Sequence, residues 1–334
     1  MKIIVPMAGM GKRMRPHTLT IPKPLIPIAG KPIVQRLVED LANIAKEPVE
    51  EVAFVIGHFG EEVEASLLAI ADGIGAKGSI HYQEDALGTA HAILCAQEAL
   101  DGHVIVAFAD TLFRAEMQLD PDLDGVIWVN KVEDPSAFGV VKVDDEGIIT
   151  DLVEKPEEFV SDLAIIGIYY FSDGERLKGE LQYLIDNDIK DKGEYQLTNA
   201  LENMKNKGAR FSAGEVIEWL DCGNKNATVY TNQRVLANST EDLVSNDLVN
   251  EDSVIVQPCF IGEGVSIKNS IVGPHVSIGT GTKIERSVVD NCIIQKDSTV
   301  SDARISNSMI GNAVVYSGSP KDLSLGDFCT TSEA

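Results

Sequence analysis

The first 38 residues hold seven of the chain's 28 Lys and Arg and none of its 52 Asp and Glu. The whole chain of 334 residues carries a formal charge of −24, so this short cationic segment heads a strongly acidic body. Positive charge concentrated in such a setting marks a place that holds an anion. Lys2-Ile3-Ile4-Val5 reads as a buried parallel strand. Gly9-Met10-Gly11 follows, then Lys12, Arg13 and Arg15. Glycine lets the backbone close on a ligand without a Cβ in the way. Successive N–H groups in such a turn make an anion-binding concavity, and the cations add net charge to it. The segment reads as a phosphate site.

Neither standard nucleotide loop fits it. The dinucleotide fingerprint needs a third glycine where this chain has Met14. The next strand, 52–56, runs into Gly57-His58 with no acid to hold a ribose. The ATPase loop needs Ser or Thr after Gly-Lys, and Arg13 stands there. A plain tight turn remains the bland alternative for Gly-x-Gly alone.

The elements that must position this segment are legible further along. At 334 residues the length suggests about two domains. Up to about residue 240, strands alternate with helices. A helix after Pro32 turns Ile33, Val34, Leu37, Val38, Leu41 and Ile44 to one face. Strands at 52–56, 79–82 and 103–108 alternate with a Glu-rich helix through Leu68 and a helix over 89–99. Helices at 174–186 and 195–206 follow a strand-rich stretch. Such alternation predicts an α/β fold, a Rossmann-like mixed and mainly parallel sheet with helices on both faces. Ligands then lie beyond the carboxyl ends of the strands, where the Gly9 loop, Gln83 and Asp110 all fall.

Past about residue 250 an aliphatic residue recurs every five or six positions: Ile255, Ile261, Ile267, Val272, Ile278, Ile284, Val289, Ile294, Val300, Ile305 and Ile310. This is the hexapeptide pattern of a parallel β-helix, one inward residue per face and three faces per coil. The expected organisation is a catalytic domain over 1–240, a connection, a short left-handed β-helix over 250–316 and a tail over 317–334.

Composition narrows the classes. An acidic chain lacks the basic face of a nucleic-acid binder. No apolar run approaches the roughly 20 residues of a membrane span, and Pro6 and Gly9 interrupt any signal-peptide core. The five cysteines show no paired spacing, which predicts reduced thiols in a cytoplasmic protein rather than a disulfide frame or a zinc site.

Together these features resemble the sugar-phosphate nucleotidyltransferases, or NDP-sugar pyrophosphorylases. The resemblance rests on Gly9-Met10-Gly11-Lys12-Arg13, Pro22-Lys23-Pro24-Leu25, Lys31-Pro32, and Gln83 with Leu87-Gly88-Thr89-Ala90. It continues through Asp110, Phe138-Gly139-Val140-Val141, Glu154-Lys155-Pro156, Gly167-Ile168-Tyr169 and Trp219-Leu220-Asp221-Cys222-Gly223. It implies that a sugar-1-phosphate oxygen attacks the α-phosphorus of dTTP or UTP, that pyrophosphate leaves, and that glucose-1-phosphate is the acceptor. Ala8, Gly9, Gly11, Lys12 and Arg13 would hold the triphosphate, with Arg13 on the departing pyrophosphate and Lys23 near the α-phosphorus. Gln83, Gly88 and Thr89 would meet the base. Gly139 and Glu154 would hold the sugar and Lys155 its phosphate. Asp110 and Asp221 would give carboxylate oxygens to Mg²⁺. No general base is needed, because the phosphate nucleophile is already ionised.

Each residue has a plainer reading. Asp110 could cap a turn, Asp221 could cap the helix running to about Ala237, Glu154-Lys155 could be a solvated pair, and Gln83 and Thr89 could be surface polar groups. The chain departs from many relatives in Met7 before Ala8-Gly9, in Lys12 where Thr is common, and in Thr111-Leu112 after Asp110. GTP with mannose-1-phosphate is the alternative within the same chemistry, and a catalytically silent scaffold homologue is the alternative outside it. A silent homologue should have lost some of Arg13, Lys23, Asp110 or Asp221, and all four residue types are present. His275 is the sole histidine of the β-helix stretch, thin support for an acyltransferase base. The solenoid is expected to serve self-association, making the protein a homo-oligomer.

Overall fold

The computed structural model describes residues 1–9, 11–116, 119–120 and 122–318. Met10 of the glycine turn, and the expected tail from 319 on, lie outside the described residues. Two compact units divide the chain. One is Met1–Pro27 with Lys31–Thr231, and the other is Ile28–Gly30 with the residues from Asn232 on.

The first unit is built on one mixed sheet. Its neighbours run in the order Ile149–Glu154, Gly139–Val143, Leu163–Phe171, Val104–Ala107, Lys2–Pro6, Glu51–Ile56 and Lys77–Tyr82, with Gly125–Lys131 and Phe211–Glu215 paired beside Leu163–Phe171. The four strands from Val104–Ala107 to Lys77–Tyr82 are mutually parallel, and Leu163–Phe171 runs against Val104–Ala107. The reason is in the residues. Ile3, Ile4 and Val5, Val52 to Ile56, and Val104 to Ala107 are continuous apolar runs with no exposure, which suits strands covered on both faces. Helix Ile33–Ile44 buries Ile33, Val34, Leu37, Val38 and Leu41, as its spacing requires, while Pro32 stands just outside as the N-cap residue. The Glu-rich helix is Glu61–Gly73, longer than its apolar pattern suggests. Glu61, Glu62 and Glu64 in its first turn suit the positive end of the helix dipole.

One element departs from expectation. The helix read over 89–99 is Thr89–Leu94, followed by a separate tight turn at Gln97–Ala99. Ala90, Ala92, Ile93, Leu94, Ala96 and Ala99 are all buried, so the apolar pattern runs through the break and does not mark it.

The second unit is a parallel β-helix. Its first ladder stacks Val249–Glu251, Ser266–Lys268, Lys283–Glu285, Thr299–Ser301 and Val315–Ser317, each strand 16 or 17 residues after the last. Two further ladders run through Val254–Ile255, Ile271–Val272 and Val288–Ile294, and through Cys259–Ile261 and Val276–Ile278. Ile261, Ile267, Val272, Ile278, Ile284, Val289, Ile294 and Val300 fill the interior, with Ile255, Ile305 and Ile310 packed against them. Corners are turned by left-handed residues: Asp252, Asn269, Arg286 and Asp302 at one, His275, Asn291 and Asn307 at another. Asn and Asp tolerate that backbone better than other side chains do. Among the described residues no helix is long and apolar enough to cross a membrane.

Candidate active site

The carboxyl ends of the parallel strands open into a pocket lined by Ala8, Gly9, Gly11, Lys23, Gln83, Gly88, Thr89 and Asp110. Lys23 opens the tight turn Lys23–Leu25, and most of the others follow a strand or open the helix after one. Ala8 and Gly9 come after Lys2–Pro6, Gln83 after Lys77–Tyr82, and Asp110 after Val104–Ala107. Pro24, Phe108, Ala109 and Glu194 are also among the lining residues, and no motif had singled out the last three.

The glycine turn is shaped by one left-handed residue, Gly11, with φ of +56°. A Cβ there would stand 3.0 Å from Lys23 Cβ, so glycine lets the loop close over Lys23. The tight turn Lys12–Met14 then buries Met14 and sends Lys12 and Arg13 outward. Lys12 is therefore exposed and off the pocket lining. Arg13 leans back, its guanidinium 3.4 Å from where a Cβ on Gly223 would lie.

Lys23 Nζ donates to Asp110 Oδ2 at 2.8 Å. Asp221 comes to the same place although it lies far along the chain, because strands Thr111–Arg114 and Glu218–Asp221 pair antiparallel with Asp221 opposite Thr111. The Cys222 N–H donates to the Asp110 carbonyl at 2.9 Å. Asp221 does not cap the next helix, Lys225–Asn238. Asn224 does, its Oδ1 accepting from Ala227 N. The Asp221 carboxylate instead accepts from Gly223 N at 2.9 Å. Its pKa is raised, first by burial and also by the Asp110 charge, while the Gly223 N–H, Lys23 and Arg13 pull it down.

Two carboxylates beside two cations are a donor set suited to a hard divalent ion, which takes one or two protein carboxylates and completes its shell with phosphate and water. Among the described residues no group of three or more His, Cys, Asp or Glu could hold a metal unaided. Asp110 and Asp221 thus fit Mg²⁺ shared with a phosphorylated substrate.

A second cluster gathers Gly139, Glu154 and Lys155. Gly139 and Glu154 are register partners on antiparallel strands, and a Cβ on Gly139 would sit 3.0 Å from Glu154 Oε2. That oxygen accepts from Thr198 Oγ1 at 2.7 Å, and Lys155 Nζ reaches Glu154 Oε1 at 3.2 Å. Lys155 has a left-handed backbone, and Lys192 Nζ donates to its carbonyl at 2.9 Å. Phe108 of the pocket meets Tyr169 edge-on at 6.3 Å. The Tyr169 hydroxyl has its pKa raised by burial and further by Glu154.

One segment ties the two clusters. The Thr89 hydroxyl donates to Gln196 Oε1 and accepts from Leu197 N, while Thr198, next along, holds Glu154. Gly88 packs so tightly on this segment that a Cβ would stand 2.4 Å from the Tyr195 carbonyl oxygen. Gln196, Thr198, His91 and Lys192 escaped the sequence reading, since none belongs to a spacing pattern.

A nucleotidyl transferase family model matches residues 2–238, and the chain belongs to that family. It is 31% identical over 353 residues to a glucose-1-phosphate thymidylyltransferase of Streptomyces griseus, covering 96% of this chain and 95% of that protein. It is 29% identical over 345 residues to the low-salt glycan biosynthesis nucleotidyltransferase Agl11 of Haloferax volcanii, covering 93% and 92%. Among solved structures, a UDP-glucose pyrophosphorylase complexed with UDP-glucose superposes with a TM-score of 0.58 at 25% identity, over 71% of this chain and 99% of that one.

Proposed function

We propose that this enzyme transfers a nucleotidyl group from dTTP or UTP to glucose-1-phosphate with the help of Mg²⁺, releasing pyrophosphate. The observation that carries the reading is the convergence of Lys23, Asp110 and Asp221 beside a pocket rimmed by Gly9, Gly11, Gln83 and Gly88. Named relatives that act on glucose-1-phosphate or UDP-glucose support the sugar and the pyrimidine.

Two polyanions must meet, so charge neutralisation and in-line alignment carry the catalysis. The sugar phosphate oxygen forms a bond to the α-phosphorus as the bond from that phosphorus to the bridging oxygen breaks. The electron pair leaves with pyrophosphate, and no proton moves. Lys23 lines the pocket beside Asp110, suited to the α-phosphate. Arg13, exposed on a short turn, suits the leaving pyrophosphate, where its planar fork grips two oxygens. Lys155 faces the acceptor phosphate, and Glu154, fixed by Thr198, accepts from sugar hydroxyls. Mg²⁺ held by Asp110 and Asp221 would neutralise phosphate charge.

We place the enzyme in the cytoplasm, where cysteines without paired spacing stay reduced. We assign the β-helix to self-association, and light scattering at a monomer mass would count against that. The function is tested by pyrophosphate release across a matrix of nucleoside triphosphates and sugar-1-phosphates with Mg²⁺. Release that needs dTTP or UTP together with glucose-1-phosphate supports the reading. Silence across the matrix from folded protein overturns it.

A further inference from the structure

Gln83 is held by its amide nitrogen. Nε2 donates to the Gly88 carbonyl oxygen at 3.1 Å and lies 3.1 Å from His91 Nδ1. A carbonyl oxygen only accepts, so the end of the amide facing Gly88 has to be the NH₂. The second N–H of that group then points at His91, which must accept at Nδ1 and carry its own proton on Nε2. Burial favours this neutral imidazole by lowering its pKa, against the weaker opposite pull of Asp85. The geometry is stiff. Gly88 has φ of +114° and no room for a Cβ, and helix Thr89–Leu94 sets His91 three residues further on.

With both N–H groups occupied, Gln83 has only Oε1 left to offer the pocket it lines. We propose that His91 is a positioning residue for base selection: it locks Gln83 as an acceptor, so the pocket takes a base with an imide N–H, uracil or thymine, and rejects cytosine. Uracil and thymine donate from N3. Cytosine carries a lone pair there, and two facing acceptors leave both unpaired and in repulsion. Sites built to hydrogen-bond one partner reject the analogue that lacks it far more strongly than a hydrophobic pocket rejects a lost methyl. Without His91 one of the two anchors is gone, only the Gly88 carbonyl still opposes a turn of the amide, and the bias against cytosine weakens.

This inference rests on the pyrimidine reading above, and the test separates the two. Pyrophosphate release is measured with UTP, dTTP and CTP for the wild type, His91→Asn and His91→Leu. Asn places an oxygen acceptor where Nδ1 stands, whereas Leu fills similar space without one. The expected result is that His91→Leu raises KM for UTP or dTTP about 5-fold, keeps kcat within about twofold, and lowers discrimination against CTP about 10-fold, the scale of one lost positioning hydrogen bond. His91→Asn should retain most of the discrimination. Unchanged discrimination in His91→Leu, or equal loss in both variants, overturns the role of His91 while leaving the pyrimidine reading intact. A wild type that prefers CTP or a purine triphosphate overturns the pyrimidine reading itself. Nitrogen-15 shifts of His91 in the wild-type protein give a check that needs no variant: protonation at Nδ1 at neutral pH would overturn the arrangement.

Discussion

Lys23 and Asp110 pair at 2.8 Å across 87 residues of sequence, joining the loop after the first strand to the end of a neighbouring parallel strand. Each charge is partly withdrawn from water and each keeps the other from standing alone there. In the proposed reaction both face phosphate, one directly and one through Mg²⁺. Lys23→Met and Asp110→Asn should therefore each lower turnover about 100-fold or more, the scale of removing a preorganised charge partner. Because they act as a unit, the double variant should fall well short of the product of the single losses. Rates of pyrophosphate release for the four proteins decide this. Full multiplicative loss would mean the two residues act independently.

Much of this arrangement was legible because it is local or periodic. The cationic turn, Gln83 and Asp110 follow apolar runs, and a residue after a buried strand is placed by the strand. The β-helix was legible because its eleven aliphatic positions repeat in register, and all eleven lie in or against its core. Asp221 was named by resemblance, while the reason it meets Asp110 is a two-strand pairing that no spacing records. Thr198 and His91 were invisible for a different cause. Their partners are chosen by which strands neighbour which, and a lone Thr or His on an apolar helix face reads as core. The outward direction of Lys12 was not legible, because sequence adjacency to Arg13 says nothing of which way a three-residue turn sends each side chain.

Thr198 offers a second test. It is buried, and its hydroxyl is the fixed donor to Glu154 Oε2. Thr198→Val keeps the shape and removes the donor, leaving Glu154 freer to swing. KM for the sugar-1-phosphate should rise about 5- to 10-fold, with KM for the triphosphate changed less than twofold, since one hydrogen bond to a charged group is worth roughly 1.5–3 kcal/mol at most. Thr198→Ser should behave as wild type. Equal changes in both KM values would show a collapse of the 194–198 segment instead.

Asn232 is a buried polar anchor within the second unit. It has no exposure, its Oδ1 accepts from Ala29 N at 3.0 Å and Ser277 Oγ at 2.7 Å, and its Nδ2 reaches the His275 carbonyl at 3.5 Å. Asn232→Leu removes the partner these groups have in Asn232, and the Ser277 hydroxyl loses its acceptor in a buried place. The expected cost is about 2–4 kcal/mol, from roughly 1–3 kcal/mol per stranded group. Denaturant unfolding followed by backbone dichroism measures it. A loss below about 0.5 kcal/mol would mean that water or a shifted side chain takes over the bonds.

Gly273 sets the limit on what the β-helix corner before His275 can hold. Its φ is +104°, a backbone that L side chains rarely adopt, and an added Cβ would stand 1.9 Å from the Val256 carbonyl oxygen and 2.9 Å from Cys259 Sγ. The Val256 oxygen belongs to the neighbouring coil, whose ladder is already fixed: Val256 N donates to Val272 O, and Gly273 N donates to Val289 O. The coil cannot retreat without breaking those bonds, and Gly273 cannot rotate without losing its own. Strain and clash therefore add. Gly273→Ala should destabilise the solenoid by about 2–4 kcal/mol, above the roughly 1 kcal/mol of an ordinary glycine position. Hydrogen exchange in the coils on either side should quicken while amides of the first unit's central strands keep their protection. Equal loosening of Lys2–Pro6 and Val104–Ala107 would show instead that the two units unfold together, since amides that open only with the whole chain share one opening free energy.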